Sequence, residues 1–297
     1  MRRSAPAWRA IPCATEPPRN AARRLTTLES TLRGLRDQGR AGLVPFVTAG
    51  YPDGATTARL LDALAARGAA AVELGVPFSD PLADGPALQQ ASQVALDQGT
   101  SLVDVMALAR AFRARRPTPL VIMTYANPIL AYGVQRFASD ARSSGVDGVI
   151  VSDLPPEERP DVWDALTGAG LDTILLVAPT TSPGRLPGLL ARASGFVYCL
   201  SRTGVTGDVR AFSDELDGLV AAVRRGCGLP VGIGFGVADG WTARFVAARA
   251  EAVIVGAAIA RVIERERGAG GDRVVRAVES FAGELVDAIG EVVKPRG

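Results

Sequence analysis

Beyond about Leu25, short apolar runs alternate along the chain with Ala-, Arg- and Leu-rich stretches of helical spacing. The runs are Leu43–Gly50, Ala70–Pro77, Leu120–Asn127, Gly148–Pro155, Thr173–Pro179, Gly195–Ser201, Pro230–Gly236 and Ala252–Ala258. Each is short, β-branched and apolar at successive positions. Such a strand has two buried faces, as in a parallel sheet covered by helices. The intervening stretches, TTARLLDALAARG among them, place Leu and Ala at helical spacing and end in Gly. Eight alternations predict a single-domain α/β fold, a (β/α)8 TIM barrel over residues 26–297. A doubly wound sheet favours a G-x-G-x-x-G turn after its first strand, and AGYPDG is not one. The second and third runs are much further apart than the others. The excursion between them, VPFSDPLADGPALQQAS, is therefore a candidate functional loop.

Residues 1–25 lack this periodicity. They are rich in Arg, Ala and Pro, carry one acid (Glu16) and have no apolar h-region of a secretory signal. They read as a disordered extension or an overlong start. An organellar transit peptide shares the Arg-rich, acid-poor composition.

Composition narrows the chemistry. The 297 residues include 33 basic and 31 acidic side chains and no histidine. Every basic residue but Lys294 is arginine. Without imidazole there is no Ser-His-Asp triad, no Cys-His pair and no histidine metal ligand or base. A lone lysine, the fourth residue from the end, argues against a Schiff base in a buried pocket. Proton transfer then falls to carboxylates, tyrosines or cysteines. A net charge of +2 supplies no basic field for nucleic acid. No apolar run approaches the ~20 residues that span a bilayer. Cys13, Cys199 and Cys227 lack metal-like spacing and suit a reduced cytoplasmic chain without a structural disulfide.

Four groups of residues can carry chemistry. Glu73 interrupts the apolar run AAVELGVP. Strand alternation puts Val72, Leu74 and Val76 on one face and Ala71, Glu73 and Gly75 on the other. With the larger apolar set against the helices, Glu73 points into the barrel near its C-terminal mouth. No strand core supplies an arginine to pair with it, so burial should raise its pKa. Asp84, in SDPLADGP, lies on the long loop at the active face of the barrel. Asp before Gly or Pro is also ordinary turn chemistry, as at Asp80. The loops SRTGVTG (Ser201–Gly207), GIGFGV (Gly232–Val237) and VGAAIA (Val255–Ala260) expose backbone N–H groups fit for phosphate. Arg202 either adds charge there or is a surface arginine. Phe46, Tyr125 and Tyr198, near strand ends, line a ligand pocket or pack the barrel. In a barrel with these groups, with neither an imine nor an imidazole-held metal as electron sink, either the substrate carries its own sink or the reaction needs only proton transfer between two acids.

These residues resemble the α chain of tryptophan synthase. The resemblance runs from about Leu25 to Val293. It is carried by LVPFVTAGYPD, ELGVPFSDPLADGP, MTYANPI, SDLPPEE, YCLSRTGVTG and GIGFGV. It implies a (β/α)8 lyase that cleaves indole-3-glycerol phosphate to indole and glyceraldehyde 3-phosphate, with no cofactor. The indole ring, protonated at C3, would be the sink. By resemblance Glu73 is the acid–base residue and Asp84 accepts the indole N–H. Phe46, Tyr125 and Tyr198 line the pocket, and Thr206 and Gly207 belong to a closing loop. Gly236 and Gly256 bind phosphate through the backbone. Ala257 stands where the family often has Ser, so the side-chain part of that site is lost. Ser152 stands where Ala is common. The implied partner is a PLP-dependent β chain in an α2β2 assembly, faced by Pro77–Pro86 and Asn127-Pro128. A stand-alone indole-3-glycerol phosphate lyase, a sugar-phosphate isomerase or a non-catalytic activator of a β chain are the alternatives.

Overall fold

The computed structural model describes residues 27–200, 209–234 and 236–294. The N-terminal extension and the SRTGVTG loop, with Arg202, Thr206 and Gly207, lie outside the described residues.

Helix α1 (Thr27–Asp37) precedes β1 (Gly42–Thr48), α2 (Gly54–Ala66) and β2 (Val72–Gly75). Two helices, α3 (Pro86–Asp97) and α4 (Leu102–Arg115), fill the long excursion before β3 (Leu120–Thr124). Then come α5 (Ala126–Tyr132), α6 (Val134–Ser143), β4 (Gly148–Val151) and α7 (Pro160–Gly168). Strands β5 (Asp172–Thr173) and β6 (Leu175–Val177) are followed by α8 (Leu186–Arg192), β7 (Val197–Leu200) and α9 (Val209–Gly226). The chain ends in β8 (Val231–Gly234), α10 (Gly240–Ala247), β9 (Ala252–Val255), α11 (Ala257–Glu266) and α12 (Gly271–Gly290).

All strand pairs are parallel, in the order β5-β4-β3-β2-β1-β9-β8-β7-β6. The two ends of this sheet are consecutive in sequence. The fifth predicted strand is thus two pieces interrupted at Ile174. The first half pairs with β4 and the second with β7, and this switch of partner closes the eight-stave barrel. The other apolar runs overshoot their strands by a few residues. Beyond the last ladder bond the chain turns outward, and Ala126 and Ala257 already begin helices.

Alternation sorts the core into two compartments. Val72, Leu74, Ile122, Val149 and Val253 face the helical coat. Val44, Ala71, Val121, Ile150, Phe196, Tyr198 and Ile254 fill the barrel, and Leu28 and Leu32 of α1 join this inner cluster at the N-terminal end. Large side chains inside rely on glycines opposite. A Cβ on Gly75 would overlap the Phe46 ring and one on Gly234 the Tyr198 hydroxyl, so neither position tolerates a side chain without displacement.

The single lysine is docked at the N-terminal end, away from the mouth. Lys294 Nζ donates to Ala250 O at 2.6 Å and lies 3.4 Å from Glu251 Oε1. Buried Glu251 also binds Arg224 Nη2 at 2.9 Å and accepts the Val231 N–H at 2.9 Å. Glu251→Ala would remove the counter-charge of Lys294 and Arg224 and leave the Val231 N–H without its acceptor. It should cost about 3 kcal/mol, read as a lowered denaturation midpoint. Cys199 and Cys227 are free thiols, and Cys13 falls outside the described residues. No helix among the described residues is long and apolar enough to cross a membrane.

Candidate active site

Glu73 sits in the middle of β2, in register with Phe46 on β1 and Val121 on β3. Its neighbours Val72 and Leu74 pack outward on the helices, so the carboxyl is driven inward. It is 0% exposed. Neither carboxyl oxygen has a hydrogen-bond partner among the described residues. Burial alone pushes this carboxyl up to about 8. A carboxylate without water or donors is costly, so the neutral acid prevails at neutral pH.

Two tyrosines relate Glu73 to the loop acid. Tyr198, on β7, is buried beside Phe196 with ring centroids 6.3 Å apart. Its hydroxyl is pushed well up, first by burial and then by the charges of Glu73 and Asp84, so one phenol senses both carboxyls. Tyr125 follows β3 as the N-cap of α5. Its hydroxyl accepts the Ala83 N–H at 3.2 Å and donates to the Asp84 carboxylate. The Phe78 ring packs on it at 5.1 Å between centroids. Asp84 itself is half-buried, in a turn closed by its N–H to Pro81 O at 3.0 Å. Burial pushes its carboxyl upward, and the Tyr125 hydrogen bond opposes that push. Gly85 then N-caps α3 with Pro86 in its first turn, so the loop acid is anchored at a helix start.

Across the mouth, Gly236 and Gly256 each lie two residues past the paired positions Gly234 and Ile254. Gly236 has φ +81° with open space where a Cβ would stand. Gly256 is the N-cap of α11 and brings no side-chain cap, so the first-turn N–H groups of Ala257 onward face the mouth. A Cβ at Gly256 would come within 3.3 Å of Phe46, which lets ring and helix start adjoin. The positive end of α11 and these amides suit an anion, and Ala257 offers only its N–H.

Four features were not apparent in the sequence. Asp153 Oδ1 accepts the Ala126 N–H at 2.7 Å, capping α5 from the neighbouring strand. Phe78 packs on Tyr125. Ser152 Oγ is buried without a hydrogen-bond partner among the described residues. Glu264 on α11 accepts hydrogen bonds from Tyr51 of the first loop (Oη to Oε2) and from Gln90 of α3 at 3.1 Å, tying three active-face elements together. The three contacts join residues far apart in sequence, and the state of the Ser152 hydroxyl depends on everything packed round it, so no local spacing announces any of the four.

The fold and this geometry define a class: a (β/α)8-barrel enzyme with a neutral buried carboxyl, a second acid on the loop after β2, and helix-start amides after β9 suited to an anion at the same mouth. Comparison with known proteins makes the class specific. The profile of the tryptophan synthase alpha chain family matches residues 32–290. A tryptophan synthase alpha chain from Burkholderia pseudomallei (strain 1106a) is 44% identical over 272 residues, covering 91% of this chain and 99% of that one. One from Burkholderia multivorans is 44% identical over 266 residues, covering 89% and 97%. Among solved structures, the alpha subunit from Legionella pneumophila superposes with a TM-score of 0.83 at 34% identity, covering 91% of this chain and 100% of that one. A chain of Mycobacterium tuberculosis tryptophan synthase superposes with a TM-score of 0.81 at 34% identity, covering 90% and 99%. The chain belongs to the tryptophan synthase alpha chain family. It is a lyase of tryptophan biosynthesis acting on indole-3-glycerol phosphate, in a family that pairs with a β chain.

Proposed function

We propose that Glu73 is the acid–base residue of this cleavage and Asp84 its electrostatic partner. The observation that carries the reading is the fully buried Glu73 carboxyl, without a hydrogen-bond partner among the described residues and held protonated near neutrality. Glu73 gives its proton to C3 of the indole ring. The bond between C3 and the glycerol side chain then breaks, and its electron pair returns to the ring. The hydroxyl on the departing carbon loses its proton to the Glu73 carboxylate and becomes the aldehyde of glyceraldehyde 3-phosphate. Asp84, steadied by Tyr125, accepts the indole N–H and balances the positive ring between the two steps. Phe46, Tyr125 and Tyr198 wall the ring pocket. The phosphate rests on backbone N–H groups at Gly236, Gly256 and Ala257, and Thr206 and Gly207 belong to the loop that closes over it.

The same reading extends to the partner. The loop Pro77–Pro86 and the segment after Asn127-Pro128 expose Leu82, at 93%, and Leu130, both beside the mouth. Exposed leucines on the loop after β2 and on α5, the helix after β3, suit docking on a PLP-dependent β chain in an α2β2 assembly. A cytoplasmic location and a catalytic unit of residues 26–297, with 1–25 as a separate extension, complete the proposal.

Indole release by the chain alone and with a β chain added tests it. The rate should rise on adding the β chain. Leu82→Asp should weaken that association about tenfold or more without changing basal cleavage. Rapid turnover indifferent to the β chain would identify a stand-alone lyase instead. A chain that never cleaves but still stimulates a β chain would be a non-catalytic activator.

A further inference from the structure

Ser152 is the one hydroxyl among the described residues whose oxygen is buried with no hydrogen-bond partner. Buried hydroxyls are nearly always satisfied, so this exception calls for an explanation. Its position supplies one. Val151 pairs with Thr124, and the Ser152 N–H still donates to Thr124 O at 2.9 Å, so the ladder persists one residue past β4. Val149 and Val151 face the helices, whereas Ile150 faces the barrel interior. By alternation Ser152 takes the interior face, one layer above Ile150 and at the mouth. Continuing the same registers places it between Tyr125 of the β3 edge and Leu176 of β6. The nearby interior side chains Met123, Ile150 and Leu176 offer no donor or acceptor.

The barrel order fixes which part of a ligand it meets. Counting β5 and β6 as one stave, β4 lies four staves from β9 in either direction, diametrically across the mouth. Gly256 and the start of α11 follow β9 and cradle the phosphate. A substrate stretched across the mouth has its phosphate there and its aromatic ring against β3 and β4. The ring N–H goes to Asp84, beside Tyr125. The six-membered ring beyond it is then the part nearest Ser152.

We propose that Ser152 is a specificity-determining residue, whose hydroxyl meets the six-membered edge of the substrate's indole ring and favours rings carrying a hydrogen-bonding substituent there. The ligand class is hydroxylated indoles and their glycerol phosphates. The unsubstituted ring leaves the hydroxyl without a partner. A correctly placed ring hydroxyl satisfies it, and a site with an unmet polar group discriminates in favour of the ligand that meets it. This rests on the proposed placement of phosphate and ring, and binding and cleavage are therefore read separately.

Dissociation constants for indole and for the four indoles bearing one hydroxyl on the six-membered ring would be measured by calorimetry. The proteins are the wild-type chain, Ser152→Ala and the nearly isosteric Ser152→Cys. At least one hydroxyindole should bind the wild type about tenfold more tightly than indole does, and both variants should lose that preference. Relative kcat/KM for the corresponding glycerol phosphates should follow the same order. If all four preferences are the same in wild type and variants, the proposal is overturned. If the preference vanishes in both variants but none of the glycerol phosphates is cleaved, Ser152 is upheld as a ring contact and the catalytic reading fails. A change in thermal midpoint with unaltered ligand preference would show that the hydroxyl acts only on stability, and would also overturn the proposal.

Discussion

Glu73→Gln should lower the rate of indole release by about 10³-fold while leaving substrate binding near its wild-type value. Gln keeps the shape of the side chain and fills the same space between Phe46 and Val121, but it has no proton of suitable acidity for C3. Single-turnover cleavage measured beside ligand affinity separates the two effects. Retention of full cleavage activity would remove Glu73 from the mechanism. The variant should also be more stable than the wild type at neutral pH. Glu73 titrates near 4.5 when unfolded and at about 8 when folded. Below pH 4.5 both states hold the proton and there is no penalty. Between 4.5 and 8 the unfolded chain releases a proton that the folded chain keeps, so wild-type stability falls with rising pH across this window and levels off above it. The difference in thermal midpoint between Glu73→Gln and wild type should therefore widen from pH 5 to pH 8. The same titration predicts an alkaline decline of kcat/KM centred near 8, the value of the free enzyme's acid.

Asp84→Asn should cut turnover by about 10²-fold, with a smaller effect on KM. The amide retains the turn and can still meet the Tyr125 hydroxyl. It cannot supply the negative charge that balances a protonated indole ring. Tyr125→Phe, which leaves the charge but removes the hydrogen bond holding it, should cost less than Asp84→Asn. Steady-state kcat for the three chains checks this ranking. Equal losses in Asp84→Asn and Tyr125→Phe would mean that positioning of the loop, and not charge, is what Asp84 contributes.

Much of this site was legible because strand alternation is a local rule. One glutamate in an apolar run, flanked by valine and leucine, has to face inward once the outer layer is helical. The glycine-rich strand ends at Gly236 and Gly256 were visible for the same reason, since a glycine at a strand end marks a close approach or a free amide. The extent of burial around Glu73 was not legible. It depends on Tyr198 arriving from β7 and Phe46 from β1, more than a hundred residues apart. The phenol that joins Asp84 to the strand face was nameable only as an aromatic near a strand end. Its hydrogen bond depends on how the β2 loop folds back over β3.

By itself the amino-acid sequence determined the barrel, the inward face of each strand and the exclusion of imidazole and lysine from the chemistry, because periodicity and composition are properties of the chain. Lys294 illustrates the limit. The sequence places it near the chain end, and only the fold shows it bound to Glu251 at the end of the barrel away from the mouth. Tertiary structure also decided where the sheet closes, splitting one predicted strand into β5 and β6 with different partners. It left Glu73 and Ser152 without hydrogen-bond partners among the described residues. Whether a polar atom is satisfied depends on every element that reaches it, and that sum exists only once the chain has closed on itself.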